Sequence, residues 1–167
     1  MQGRVLSLLL LVSTAPAANA AIPNFHAVEA DVFRGGTPGA EGIAELKALG
    51  VKTILNLDDR YDVNEEERAL AQAAGIREIA NPMSGFWWPE NARVNRALRA
   101  LSDPRLRPIY VHCQHGQDRT GLVVGLFRVE REHWAPARAY AEMLGYGFHR
   151  ILFLMNHYFE ERTGFED

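Results

Sequence analysis

Short apolar runs alternate with amphipathic stretches along this chain. Residues 28–33, 51–57, 76–80 and 109–111 read as strands, because each is rich in β-branched, aliphatic or aromatic side chains and is bounded by glycine, proline or polar residues. Between them the spacing turns helical. Thr37 followed by Pro38 predicts an N-cap with proline in the first turn, and Ile43, Leu46 and Leu49 share one face before Gly50 stops the helix. Asn64 and Glu67 make an asparagine variant of a capping box for a helix running to Ala74 and closed by Gly75. A helix over 89–101 turns Val94, Leu98 and Leu101 inward, and an apolar helix opens over 122–127. The remainder is helical over 135–144 and 151–159, where Ile151, Leu154, Met155, Tyr158 and Phe159 form a packing face. Strands separated by helices predict an α/β domain, a mainly parallel central sheet flanked by helices, with its site at the carboxyl ends of the strands.

Composition narrows this picture. At 167 residues, with 47% hydrophobic and 23% charged, the chain fits one globular domain over 21–167. Residues 1–20 stand apart: Arg4, an apolar run over 5–12 and Ala18-Asn19-Ala20 read as a cleaved secretory signal peptide. That run is shorter than the roughly 20 residues a membrane span needs, so a periplasmic or secreted protein with no stable membrane anchor is expected. The formal net charge of −3 argues against nucleic acid as a partner, and anion binding has to be local. Cys113 is the only cysteine, so an oxidising compartment offers it no partner in its own chain, and the count argues against a thiol relay. One cysteine and scattered histidines lack the spacing of a metal site, and no cofactor is implied.

The chemistry lies in His112-Cys113-Gln114-His115-Gly116-Gln117-Asp118-Arg119-Thr120, between the strand ending at Val111 and the helix over 122–127. A loop feeding a helix N-terminus turns backbone N–H groups toward one point, where the helix dipole also favours an anion. Cys113 at the start of that loop shares the field, which favours the thiolate, the form in which cysteine is a nucleophile. Arg119 supplies a planar fork for two phosphoryl oxygens. Gly116 allows a tight turn, the Thr120 hydroxyl can point at the sulfur, and the backbone from Gln114 through Arg119 forms the cradle. His112 is suited to orienting the loop, and His115 to a second positive contact.

These residues resemble the signature H-C-x5-R-[ST] of the cysteine-dependent phosphatases, in particular the compact atypical dual-specificity type. The likeness extends to Asn24-Phe25-His26 through Arg34-Gly35-Gly36-Thr37-Pro38, to 49–57, and to Tyr146-Gly147-Phe148-His149. It implies a dual-specificity phosphatase-like fold, Cys113 as the nucleophile that becomes a phosphocysteine, and Arg119 as the phosphate clamp. It also implies Arg34 as a residue that helps hold substrate, against the alternative of a structural arginine. The implied substrates are inositol polyphosphates, as for bacterial minimal phytases, or phosphotyrosine proteins. The chain departs from the broader family at the general acid, because the loop over 81–90 contains no aspartate. Asp118 inside the motif, Glu90 after the tryptophan pair, and the group Asp58, Asp59 and Asp62 are the candidates. Trp87 and Trp88 read as a partly buried hinge or plug. Arg60, Arg77, Arg93 and Arg96 are further basic residues that could widen a positive field. Two other classes remain open at this point, a phosphate-binding module without turnover and a rhodanese-like sulfurtransferase.

Overall fold

The computed structural model describes residues 21–166, so the expected leader over 1–20 lies outside the described residues. Its strands are β1 (His26–Glu29), β2 (Val32–Gly35), β3 (Thr53–Asn56), β4 (Arg77–Ala80) and β5 (Ile109–His112). The helices are α1 (Gly39–Ala48), α2 (Tyr61–Ala74), α3 (Asn91–Ser102), α4 (Asp118–Glu130), α5 (Pro136–Gly145) and α6 (Phe153–Thr163), with a 3₁₀ turn at Pro104–Leu106. One sheet runs β1-β2-β5-β3-β4. The pairs β2–β5, β5–β3 and β3–β4 are parallel, and only β1–β2 is antiparallel. This is the predicted architecture, with one correction: the strand expected over 28–33 is a hairpin that turns at Ala30 and Asp31.

Alternation along β5 separates the two faces of the sheet. Ile109 and Val111 point into a core shared with Val94, Leu98 and Leu101 of α3, Leu122, Val123 and Leu126 of α4, and Met155 and Phe159 of α6. Tyr110 points the other way, to Ile43 and Leu46 of α1, Ile54 of β3 and Ala71 of α2. Helix α4 is apolar nearly all round because it is covered by α3, α5 and α6. Truncating a fully buried residue such as Leu122 to alanine should cost about 2–5 kcal/mol, the usual sum of lost transfer energy and cavity.

Several local expectations give way to tertiary contacts. Pro38, not Thr37, occupies the cap position of α1, and no side chain caps it. The Thr37 N–H instead donates to the Gln114 carbonyl, tying the segment to the motif loop. Helix α2 starts at Tyr61, so Asn64 and Glu67 lie inside it rather than forming a box; the Asn64 amide donates to the Asp58 carbonyl, and Glu67 is buried under the sheet ends. Leu49 at the end of α1 is exposed, and Ile151 precedes α6 and is 84% exposed, so neither belongs to the core. Among the described residues no helix is long and apolar enough to cross a membrane.

Candidate active site

Register brings the carboxyl ends of three strands to one level. His112 sits opposite Gly35 of β2 on one side and Asn56 of β3 on the other, so the chain leaving β5 at Cys113 emerges in the middle of the sheet's carboxyl edge. From there 113–117 curl into a loop, and α4 begins at Asp118 with its first-turn N–H groups directed back into it. Gly116 has φ 71°, and a Cβ there would overlap the Gly35 carbonyl, so only glycine fits. The Gly116 carbonyl accepts from Arg34 Nη2 at 2.8 Å and from the Asn24 amide at 2.9 Å.

Behind the loop the charged groups are buried. Arg34 is 1% exposed, and its guanidinium stacks 4.6 Å from the Tyr146 ring. Burial pulls Arg34 down to about 10, against the opposing pull of Glu142, Tyr146 and Cys113. It braces the loop from the rear and does not line the cavity, which corrects the expectation that it holds substrate. His112 is fully buried, with Nδ1 3.3 Å from the Cys113 carbonyl and Nε2 2.8 Å from Glu67 Oε1. Glu67 also accepts from Asn56 at 3.1 Å.

In front of the loop is a cavity of about 450 Å³. Cys113, only 3% exposed, lies at its floor with Gln114, His115, Asp118 and Arg119. Arg119 Nη1 donates to Asp59 Oδ1 at 2.6 Å and to the Met83 carbonyl at 3.1 Å. Asp58 stands 3.6 Å from the same nitrogen and is held chiefly by Arg60. Burial opposes ionisation of Asp58, but the bonds from Arg60 and the charge of Arg119 outweigh it and keep the carboxyl below its ordinary range. Arg60 is raised by its bond to Asp58, against desolvation, with smaller help from Asp59 and Cys113. Asp118 accepts from the His149 backbone N–H at 2.8 Å and meets the His149 ring Nδ1 at 3.0 Å. Phe86, Ile151 and Leu152 form an apolar rim.

The structure thus gathers Cys113, Gln114, His115, Asp118 and Arg119 around one cavity, with Gly116 shaping the turn. Gln117 does not face it; its side chain packs against Gly147 and its residue caps α4. The Thr120 hydroxyl is buried without a hydrogen-bond partner, so the expected bond to the cysteine sulfur is not formed. Among the candidate acids, Asp59 and Asp118 reach the cavity, whereas Asp58 is buried behind Arg60. Glu90 is exposed beside Arg93, and Asp62 is exposed in the first turn of α2. Trp87 is 74% exposed rather than a plug, while Trp88 packs edge-on to His157 and Tyr158. Three contributors escaped sequence reasoning: Asn24 and Glu67 as braces, and Asp59 as the partner of the clamp. The helical offset of Glu67 from Ala71, both buried, was the one signal that placed this acid on the inward face of α2.

Comparisons agree with this geometry. The family model described as DSP-PTPase phosphatase fused to NAD+ kinase matches residues 16–150. The dual specificity protein phosphatase TpbA of Pseudomonas aeruginosa is 29% identical over 126 residues, covering 75% of this chain and 55% of that protein. The inositol diphosphatase DSP5 of Arabidopsis thaliana is 33% identical over 112 residues, covering 64% of this chain and 53% of that protein. The chain spans about half the length of both relatives. The crystal structure of P. aeruginosa TpbA matches with a TM-score of 0.72 at 28% identity, covering 87% of this chain and 88% of that one. The core catalytic domain of the PP-IP phosphatase SIW14 from S. cerevisiae shares the fold, with a TM-score of 0.72 at 23% identity over 84% of this chain and 88% of that one.

Proposed function

The chain belongs to the DSP-PTPase phosphatase family, and we propose that it is a phosphomonoesterase that removes a single phosphate from an aromatic carrier, phosphotyrosine in a protein, in preference to an inositol polyphosphate. The make-up of the cavity carries this preference. Its two arginines, Arg60 and Arg119, stand with two carboxylates, Asp59 and Asp118, and two histidines, His115 and His149, and the rim is Phe86, Ile151 and Leu152. A ring bearing many phosphates would meet the carboxylates with only His115 and His149 left to supply further positive charge. One phosphate beneath an apolar ring fits the cradle and the rim together.

In this mechanism the phosphoryl group enters the loop and takes Arg119 from Asp59, exchanging one charge-assisted contact for a two-oxygen clamp. The Cys113 sulfur attacks phosphorus in line with the ester oxygen: the S–P bond forms, the P–O bond breaks, and its electron pair leaves on the phenolic oxygen. Asp118, steadied by His149, gives that oxygen a proton. Water then attacks phosphorus, Asp118 takes its proton, and the S–P bond breaks to restore the thiolate. Arg119 and the amides of the loop meet the charge of the equatorial oxygens in both steps. The positive start, apolar run and small-residue site of 1–20 support export, with the chemistry carried out in the periplasm or outside the cell.

The likeness to an inositol diphosphatase supports a second reading in which the substrate is an inositol phosphate. Phosphate release without added metal, from a phosphotyrosine peptide and from inositol hexakisphosphate in parallel, decides between them. Faster Cys113-dependent turnover of the peptide is expected. Faster turnover of the inositol phosphate would replace this reading with the second, and no Cys113-dependent release from either would leave a phosphate-binding module.

A further inference from the structure

A second basic surface lies on the flank of the sheet. Strand β4 ends the sheet, and between it and α3 runs a groove of about 440 Å³ that shares no lining residue with the catalytic cavity. Its floor is apolar, with Ile79, Ala100 and Leu106, and its walls carry Arg77 from the strand and Arg96 and Arg99 from the helix. All three arginines are exposed. Among the described residues most other arginines are paired: Arg60 with Asp58, Arg68 with Glu65, Arg107 with Glu29, Arg119 with Asp59, Arg128 with Glu142 and Arg162 with Glu130. Arg77, Arg96 and Arg99 hold no carboxylate in an ion pair. Two acids also line the groove: Asp103, bound chiefly by Arg105 at 2.8 Å and more weakly influenced by Arg77, and Glu78, whose carboxylate turns toward Arg68 and Asn56. In a chain with more acids than bases, three unpaired like charges on one groove repel each other and call for an anionic occupant.

The backbone says what shape that occupant has. The Arg77 N–H donates to the Lys52 carbonyl and the Asn81 N–H to the Asn56 carbonyl, both toward β3. Direction alternates along a strand, so Glu78 and Ala80 turn their N–H and C=O groups outward to the free edge. A free edge is a template for another strand. Charged residues often guard such edges, but Arg96 and Arg99 come from the helix, where edge protection does not require them. A second copy of this chain pairing edge to edge would bring its own arginines against these, so self-association is disfavoured.

We propose that the β4–α3 groove binds an extended acidic segment of a partner protein as a sixth strand, its backbone pairing with Glu78 and Ala80 and its carboxylates reaching Arg96 and Arg99. The inference is independent of the catalytic reading, because it is tested by binding. The probe is a fluorescently labelled eight-residue peptide of alternating glutamate and valine, titrated with the intact chain and read by anisotropy. Saturable binding is expected, weakening with salt, and weakening by about tenfold or more in the double variant Arg96→Ala/Arg99→Ala, whose helix alanine favours. N-methylation of the alternate residues whose N–H groups face β4 should weaken binding by a similar factor, whereas methylating the other set should not. Turnover of a small aryl phosphate should be unchanged in the double variant. Equal binding of both methylated peptides would overturn strand addition, and undiminished binding to the double variant would overturn the groove. Displacement of a bound peptide is not required of inositol hexakisphosphate, but binding of that anion at Arg96 and Arg99 with no peptide binding would also sink the proposal.

Discussion

The catalytic mouth and the β4–α3 groove both present arginine, and they present it in opposite states. At the mouth Arg119 rests on Asp59 at 2.6 Å, Arg60 rests on Asp58, and Arg34 is fixed to the Gly116 carbonyl from behind. At the groove Arg77, Arg96 and Arg99 stand free of ion pairs beside an unpaired strand edge. A pre-paired arginine holds its orientation and contributes little net field, so it selects a ligand by geometry, as a two-oxygen phosphoryl clamp requires. Unpaired arginines contribute field with little fixed geometry, which suits recognition of acidic character and makes binding sensitive to salt. The same side chain therefore serves positioning at one surface and attraction at the other, according to whether carboxylates were folded in beside it.

The contrast breaks most completely at the reacting centre. Cys113→Ser should reduce phosphate release to background while leaving peptide binding at the groove intact, measured by steady-state kinetics and anisotropy on one preparation. Arg119→Lys keeps the charge but loses the fork, and kcat should fall by about 10²–10³-fold, the usual effect of removing one transition-state donor; a smaller loss of under tenfold would mean that charge alone suffices at the mouth. Gly116→Ala should cost roughly 1–3 kcal/mol from the left-handed backbone alone, with a further cost from the overlap with Gly35. It should lower the melting temperature by several degrees and kcat with it, and an unaltered protein would show that the loop has freedom to move.

Asp59→Asn sharpens the comparison by making the mouth resemble the groove. With its partner neutral, Arg119 should bind vanadate or inorganic phosphate about two- to fivefold more tightly, the range of a half-exposed ion pair. If kcat instead falls only for substrates with poor leaving groups, Asp59 rather than Asp118 supplies the proton. The smallest effect is expected at Glu78, beside the groove. Burial raises its carboxyl above the ordinary range, with Glu67 adding to it and Arg68 opposing. A raised acid binds its proton more tightly folded than unfolded, so it subtracts stability as pH climbs above the ordinary value of about 4.5 and through the folded one. Glu78→Gln should remove that loss, giving a flatter dependence of chemical stability on pH from weakly acid to neutral conditions; an unchanged slope would show that Arg68 already offsets the burial.

Sequence alone determined the α/β alternation and the placement of the motif between a buried strand and an apolar helix, and it singled out Cys113 and Arg119 as the candidates for the chemistry. Those features are local: hydrophobic period sets strand or helix, and five residues between cysteine and arginine set one turn of loop. Local rules misplaced the ends of elements where distant groups competed for them. Thr37 left its cap position for Gln114, Asn64 and Glu67 left a capping box for Asp58, Asn56 and His112, and Arg34 moved from the substrate to the back of the loop. Only the tertiary structure decided which carboxylate meets Arg119, which arginines remain unpaired, and that β4 is an edge. An ion pair depends on distances between side chains remote in sequence, and Asp59 and Arg119 come together only because β3 and β5 are neighbours in the sheet. An edge likewise exists only once strand order is set, and strand order is a property of the packed sheet that no single strand encodes.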